Sequence, residues 1–593
     1  MLRKLLVSTI ALTGASNAAA MSFEITDDVQ LDADVSLTYA VSQRMKDQDE
    51  ALLADINGDD GNRSFDKGDL VNNKVSAVID LDLRYKNYGL FARPRAYYDA
   101  AYDGRNANQS LTNNNLDIFG GELSSPDQFT QATKDQHRDT VELLDMYGYA
   151  DYELGGHYLH LRAGRQMVGW GESIYLQNSI SSAQNPLDVT ASNVAGAKLS
   201  EIFMPVEQVT GQIDITESFS LAGYYQWKWR ESILDEQGSY FSDSDAVDKA
   251  GERILVNASG LAIDRTADVD AKDDGQWGVA MRFVSNALND TEFGVYALNY
   301  HDKYPMVIGK SGGGKSSPYR DGVIASAQPI SAFAPGFSVD SLASATEASI
   351  VYNNGAPFCA PPTSAADVPA FEACKAFVLS NPAAQAGVQT AAAGDAADLA
   401  SYHLAYQEDI KLYGMSFGTL VGDTNIGGEI SYRTGVAVEV VDPTNILGFS
   451  YVDGDVAQVQ LSAIHVFGDT FAWDSMTFTG EMGANHAYSY KNKTLNGTDE
   501  FAYGATIASE FDYLQVIAGL DISPYLKYEY NPNGTSVMAG SFEEDADEVT
   551  VGTAFTYHSD FIVDLSYTDY LGDAESNSLS DRDLLSLTAN YTF

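Results

Sequence analysis

This chain is poor in cysteine, in proline and in positive charge, and it has no long apolar run. Cys359 and Cys374 are its only cysteines, too few for a disulfide-dense scaffold. With no histidine cluster around them they do not make a zinc site either. No internal stretch of about eighteen apolar residues occurs, which excludes membrane-spanning helices. Only 16 prolines stand against 50 glycines, so little would interrupt extended strands. Lys and Arg number 35 against 83 Asp and Glu, a formal charge of −48. Bulk charge of that sign argues against nucleic acid or an anionic membrane surface as a partner; it suits acidic external loops.

The first twenty residues read as a signal peptide. Arg3 and Lys4 supply the positive start, Leu5 to Leu12 the apolar stretch, and Ala18 and Ala20 the small residues of a cleavage site before Met21. The apolar stretch is too short to span a bilayer. Export implies an oxidising compartment, in which a Cys359–Cys374 disulfide is expected.

Aromatic residues are plentiful, with 35 Tyr and 26 Phe. This suits strands and the aromatic girdles of membrane barrels. Period-two alternation recurs almost throughout. Leu585, Leu587, Ala589, Tyr591 and Phe593 alternate with Ser586, Thr588, Asn590 and Thr592, and Leu221, Gly223, Tyr225, Trp227 and Trp229 share one face. Very short links such as Gly155-Gly156 and Glu217-Ser218 alternate with long polar stretches such as 103–140 and 231–274. Short turns alternating with long loops predict an all-β, transmembrane antiparallel barrel over 21–593, with long extracellular loops. The pattern gives about eighteen strands, an even number. They include 218–230, 406–421, 424–436, 454–468, 500–512 and 514–530. The terminal Phe593 after an alternating strand resembles the signal read by the barrel assembly machinery of the outer membrane of Gram-negative bacteria.

The face opposite the apolar one would line a lumen. It carries Asp80, Asp82, Arg84, Arg93, Arg95, Asp145, His160, Arg162, Lys228, Arg230, Glu429 and Arg433. These charges either select solutes or form cross-strand ion pairs that stiffen the wall; Arg93 and Arg95 beside Asp80 and Asp82 look paired. A barrel this wide encloses water unless something fills it. The segment 169–205 is less polar than the other loops, with Trp170, Ile174, Tyr175, Leu176, Leu199, Ile202 and Phe203. It is expected to fold into the lumen as a constriction. Trp170, Glu172, Tyr175, Asn185 and Asp188 are its candidate pore-lining residues.

Here the sequence resembles a known family. Gly169-Trp170-Gly171-Glu172-Ser173, Asn185-Pro186-Leu187-Asp188, the run from Leu199 and Glu201 to Pro205-Val206, and the aromatic end Gln226-Trp227-Lys228-Trp229 are similar to the hallmark of the bacterial domain-of-unknown-function family numbered 1302. The resemblance implies an outer-membrane protein, often encoded near a periplasmic lipid-carrier-like partner and an inner-membrane exporter. That company implies movement of hydrophobic compounds or lipids; it implies no settled substrate.

Two loops stand apart. In 55–69, Asp55, Asn57, Asp59 and Asp66 are hard oxygen donors at roughly calcium-loop spacing, with Gly58 and Gly61 allowing tight turns. The glycine comes one residue late for an EF-hand and no terminal Glu follows. A structural calcium therefore competes with a solvated polar loop, and no other cofactor is indicated. The insertion 304–405 is rich in Ala, Ser, Gly and Pro and holds both cysteines. It is expected to form an external cap, with a short helix around 380–400.

The functional expectation is an outer-membrane channel or transporter in contact with outer-membrane lipids, handling hydrophobic small molecules or lipids. A general diffusion porin for hydrophilic solutes and a structural or adhesive barrel are the alternatives. No histidine lies in a G-x-S-x-G or H-E-x-x-H context, so an enzyme is not expected.

Overall fold

The structure, a computed structural model, describes residues 21–117, 121–255, 262–311 and 400–593. Eighteen strands in sequence order close a ring, each antiparallel to its neighbours. From Val29–Arg44, Leu70–Tyr85 and Tyr88–Asp99 the wall runs on through Asp139–Leu154, His157–Gln166, Val206–Thr216 and Phe219–Gln226. It continues through Gln276–Ser285, Thr291–Tyr300, Ile410–Val421, Thr424–Val441, Phe449–Phe467 and Ser475–Tyr488. Phe501–Ile517, Leu520–Asn533, Glu548–Tyr557, Phe561–Tyr570 and Leu584–Thr592 complete it. The last strand pairs with the first, Ser36 opposite Thr592 and Arg44 opposite Leu584, so the wall has no free edge. A short strand, Met21–Thr26, pairs with the start of Val29–Arg44 and prolongs the wall beyond Phe593. One rim carries tight links such as Gly155-Gly156, the other the long loops.

Alternation places the side chains. Val279, Met281 and Phe283 point outward and are exposed, while Ala280 between them is buried. Ile430 and Tyr432 face out where Glu429, Ser431 and Arg433 are buried; Leu585 and Leu587 face out where Ser586 and Thr588 are buried. A wall apolar outside and polar inside is stable only with lipid around it. Inner polar groups find partners across the ladder. Ser42 and Ser586 hydroxyls lie 2.9 Å apart, and the Gln208 amide donates to the Gln166 carbonyl at 2.7 Å.

Several boundaries differ from the sequence reading. The strand expected to reach 230 ends at Gln226. Trp229 turns inward, its indole donating to the Asp302 carbonyl at 3.0 Å while its ring meets Tyr406 at 4.5 Å. Lys228 is therefore not in the lumen wall; it pairs with Asp273 at 2.9 Å. Arg230 also lies beyond the strand, 3.7 Å from Glu142. The hairpin expected to turn near 436–454 runs on to Val441 and resumes at Phe449, because Gly435, at φ +78°, forms a bulge instead of an end. The turn expected at 513 lies at 518–519, where Gly519 takes φ +80°; the polar run to Asp512 imitates a strand end.

Residues 400–405 belong to a cap rather than to the wall. Met306–Ser311 and Ala400–Ala405 pair antiparallel, and with Ala262–Arg265 and Arg253–Leu255 they make a separate four-stranded sheet at the loop rim. Ala246, Ile263, Tyr402 and Leu404 form its core. The cysteines, the signal peptide and the stretch 380–399 lie outside the described residues.

Candidate functional site

The segment between Gln166 and Val206 runs inside the ring. Its backbone meets inward-facing side chains on many strands, whose placement follows from the strand period. The Glu481 carboxylate accepts from the amides of Ile174, Tyr175 and Leu176, the last two at 2.5 and 2.9 Å. The Glu429 carboxylate accepts from the amides of Glu172 at 3.1 Å and Ile180 at 2.9 Å. Arg433 donates to the carbonyls of Asn178 and Ser179, and Gln458 to that of Gln177. Across the ring, Lys198 reaches Ser36 Oγ at 2.6 Å. Backbone without secondary structure needs such partners when water is excluded.

Glycines on the wall make room for the apolar side chains. A Cβ at Gly414 would sit 2.7 Å from Ile180 Cδ1, and one at Gly278 would sit 2.9 Å from the Trp170 ring. Trp170 packs between Tyr224 and Tyr296, with ring centroids at 5.1 and 6.0 Å. Trp170, Ile180, Ala183 and Leu412 belong to one buried cluster. The segment's largest apolar groups are thus mostly spent on docking it; Ile174, Tyr175 and Leu199 stay exposed.

Most lumen cations are paired. Arg93 holds Asp80 through two hydrogen bonds at 2.6 and 2.7 Å and reaches Asp145 at 3.1 Å. Arg84 lies between Asp82 and Asp32, at 2.7 and 2.9 Å. Arg95 joins Glu142 on the wall to Asp188 of the segment. Asp188 also caps the short helix Val189–Ser192, accepting from the Ala191 amide at 3.1 Å. Asn185 pairs with Val168 through both its amide and its carbonyl oxygen. Arg162 lies over the Tyr147 ring at 5.6 Å.

Two cavities lie on either side of the segment. The one toward the turn rim, about 560 Å³, is lined by Val168, Gly169 and Trp170 from the segment and by Asp82, Tyr149, Asp151, His160, Arg162 and Arg282 from the wall. The one toward the loop rim, about 340 Å³, is lined by Gln177, Asn178 and Asn185, with Lys303, Arg433 and Glu439. The sequence-predicted residues therefore divide among three places. Trp170 stands at the boundary, Asp82 and Arg162 line the turn-side chamber, and Glu172, Asp188, Arg93 and Arg95 anchor the segment or the wall. Glu481 was not singled out from sequence. Its signal was being the one charged residue in the inward row of its strand, among Thr477, Thr479, Gly483 and Asn485.

The candidate calcium donors do not come together. The Asn57 side chain is spent on Leu255, accepting from its amide at 2.7 Å and donating to its carbonyl at 3.0 Å. Asp55 accepts from the Asn57 amide at 3.1 Å, and Asp66 accepts from Gln48 at 3.3 Å. Asp59 instead lies with Asp60 and Asp245.

A family model described as Protein of unknown function (DUF1302) matches residues 1–593, the whole chain. No curated protein matches the sequence. Among solved structures, OccAB4 of Acinetobacter baumannii is 10% identical, with 96% of this chain and 98% of that one covered and a TM-score of 0.40. The outer membrane channel DcaP of the same organism is 9% identical, covers 96% and 99%, and has a TM-score of 0.35. OpdK of Pseudomonas aeruginosa, solved with vanillate, is 10% identical, covers 96% and 98%, and has a TM-score of 0.38. A likeness this loose transfers no substrate and no site.

Proposed function

This chain belongs to the DUF1302 family, and from its closed, internally occupied wall we propose that it is an outer-membrane channel for small polar solutes, constricted by the segment 167–205. The observation that carries this reading is the segment itself, held from both sides of the ring between a turn-side chamber with a mainly polar lining and a loop-side chamber of mixed lining. A chamber edged by Arg162, His160, Arg282 and Asp151 offers charged and hydrogen-bonding groups to a solute and little apolar surface. The tight rim faces the periplasm and the loop rim the exterior.

A second reading is export of hydrophobic small molecules or lipids with a periplasmic lipid carrier and an inner-membrane exporter. The exposure of Ile174, Tyr175 and Leu199 on the segment favours it. Planar-bilayer recording of the purified protein, combined with solute uptake into vesicles, separates the two. Small, steady conductance with uptake of polar solutes supports the constricted channel. A silent, folded barrel that retains co-purifying lipid transfers the case to apolar cargo.

A further inference from the structure

We propose that Asp59, Asp60 and Asp245 bind a calcium ion that ties the loop 45–69 to the loop 227–275 in the external cap. One carboxylate oxygen of each lies within 4.8 Å of the others, and all three residues are buried. The side chain of Asp245 has no solvent exposure, and neither of its oxygens has a hydrogen-bond partner; Asp59 Oδ1 has none either. Buried polar atoms are nearly always satisfied, and a buried carboxylate without a partner is among the costliest groups a fold can hold.

The protein groups around the cluster do not supply the missing charge. Arg63 engages Asp59 through Oδ2, the oxygen away from the orphaned one. Asp60 accepts from Asn108 at 2.7 Å and from Gln237, both neutral donors. Burial first, and then the negative charges of Asp60, Asp59 and Asp248, drive the Asp245 carboxyl well above the usual range, against a smaller lowering by the Asp60 amide. One guanidinium thus stands against three carboxylates that face one another.

The walls of the site are fixed on both sides. The Asp245 amide donates to the Asn57 carbonyl at 2.7 Å, and Asn114 donates to the Asp245 carbonyl at 2.9 Å. A Cβ at Gly61 would lie 2.4 Å from the Ser239 carbonyl oxygen and 2.5 Å from that of Ser242, so only glycine lets the two loops approach this closely. An all-oxygen donor set without His or Cys selects a hard cation. Burial of the donors favours calcium, which sheds its water, over magnesium, which keeps several molecules of it.

The test is calorimetric titration of chelator-stripped, detergent-purified full-length protein with calcium chloride, set beside Asp245→Asn. The expected result is one fewer calcium per chain in the variant, which separates this site from diffuse binding to other surface acids. Limited proteolysis of the parent, with calcium and with chelator, is the companion measurement. At calcium about ten times Kd, opening of the cap and its cleavage should slow about ten-fold. Equal calcium stoichiometry in parent and folded variant overturns the proposal. If the variant does not fold, cleavage of the parent at the same rate with calcium and with chelator overturns it.

Discussion

Arg95 of the barrel wall and Asp188 of the inward segment meet at 2.9 Å with their side chains 3% and 1% exposed. The same guanidinium binds Glu142 on the neighbouring strand, so one residue stitches two wall strands to the constriction. Two points on the segment, Asp188 near its middle and the amides of residues 174–176 held by Glu481, then fix its position between the chambers.

Arg95→Ala leaves Asp188 buried without its cation. Removing one member of a buried pair costs about 3–5 kcal/mol, enough to loosen the middle of the segment. Single-channel recordings of the variant should show larger and noisier current than the parent. Arg95→Lys keeps the charge but not the two-pronged geometry and should fall between. Unchanged current in Arg95→Ala would show that the pair does not hold the segment.

Glu481→Gln turns an amide group toward three backbone donors. Each poorly satisfied amide costs about 1–3 kcal/mol. The mean conductance should rise, and the double variant with Glu429→Gln should depart from additivity, because both side chains hold one stretch of backbone.

Gly414→Val drives a side chain into Ile180, which packs against the bare backbone there. Overpacking of this kind costs about 1–3 kcal/mol. A lower melting temperature, or displacement of the segment seen as raised conductance, is expected; a parent-like protein by both measures would contradict the docking described above.

Arg162 lines the turn-side chamber and is balanced by a tyrosine face rather than by a close carboxylate in the described contacts. Arg162→Glu should move the reversal potential in a salt gradient toward cation selectivity. No movement would mean that ions bypass this chamber.

Burial, with Asp243 and Asp188 nearby, pushes the Asp235 carboxyl up to about 7 from an ordinary 3.8. His137, 4.0 Å away, is held neutral by its own burial, its value lowered to about 3. Between pH 4 and 7 the folded cap keeps a proton on Asp235 that the unfolded chain has released, so stability falls as pH rises through that window. Thermal unfolding at pH 5 and pH 8 should show the parent losing stability, and Asp235→Asn losing less of it. An equal loss in both would remove Asp235 as the source.

Much of the wall was legible because strand period acts locally. Whether Ile430 faces lipid and Glu429 the lumen depends only on their being neighbours on a strand. The errors fell where a local signal had two readings. Gly435 punctuates a chain equally well as an end or as a bulge, and Trp229 continues an apolar row that the backbone abandons at Gln226. The apolar content of 169–205 pointed inward, but no local pattern could name its partners.

By itself the sequence determined the alternation, the rhythm of short and long links, and hence an even-stranded antiparallel wall, since these follow from side-chain period and chain reach. Only the tertiary structure decided which distant groups meet. Glu481 receives the amides of residues 174–176, Arg95 finds Asp188, and Asp245 joins Asp59 rather than Asp55 or Asp66. Contacts of that kind arise when the ring closes and the loops fold over it. Burial, hydrogen-bond demand and close backbone approach then select the partners, and sequence spacing has no part in that choice.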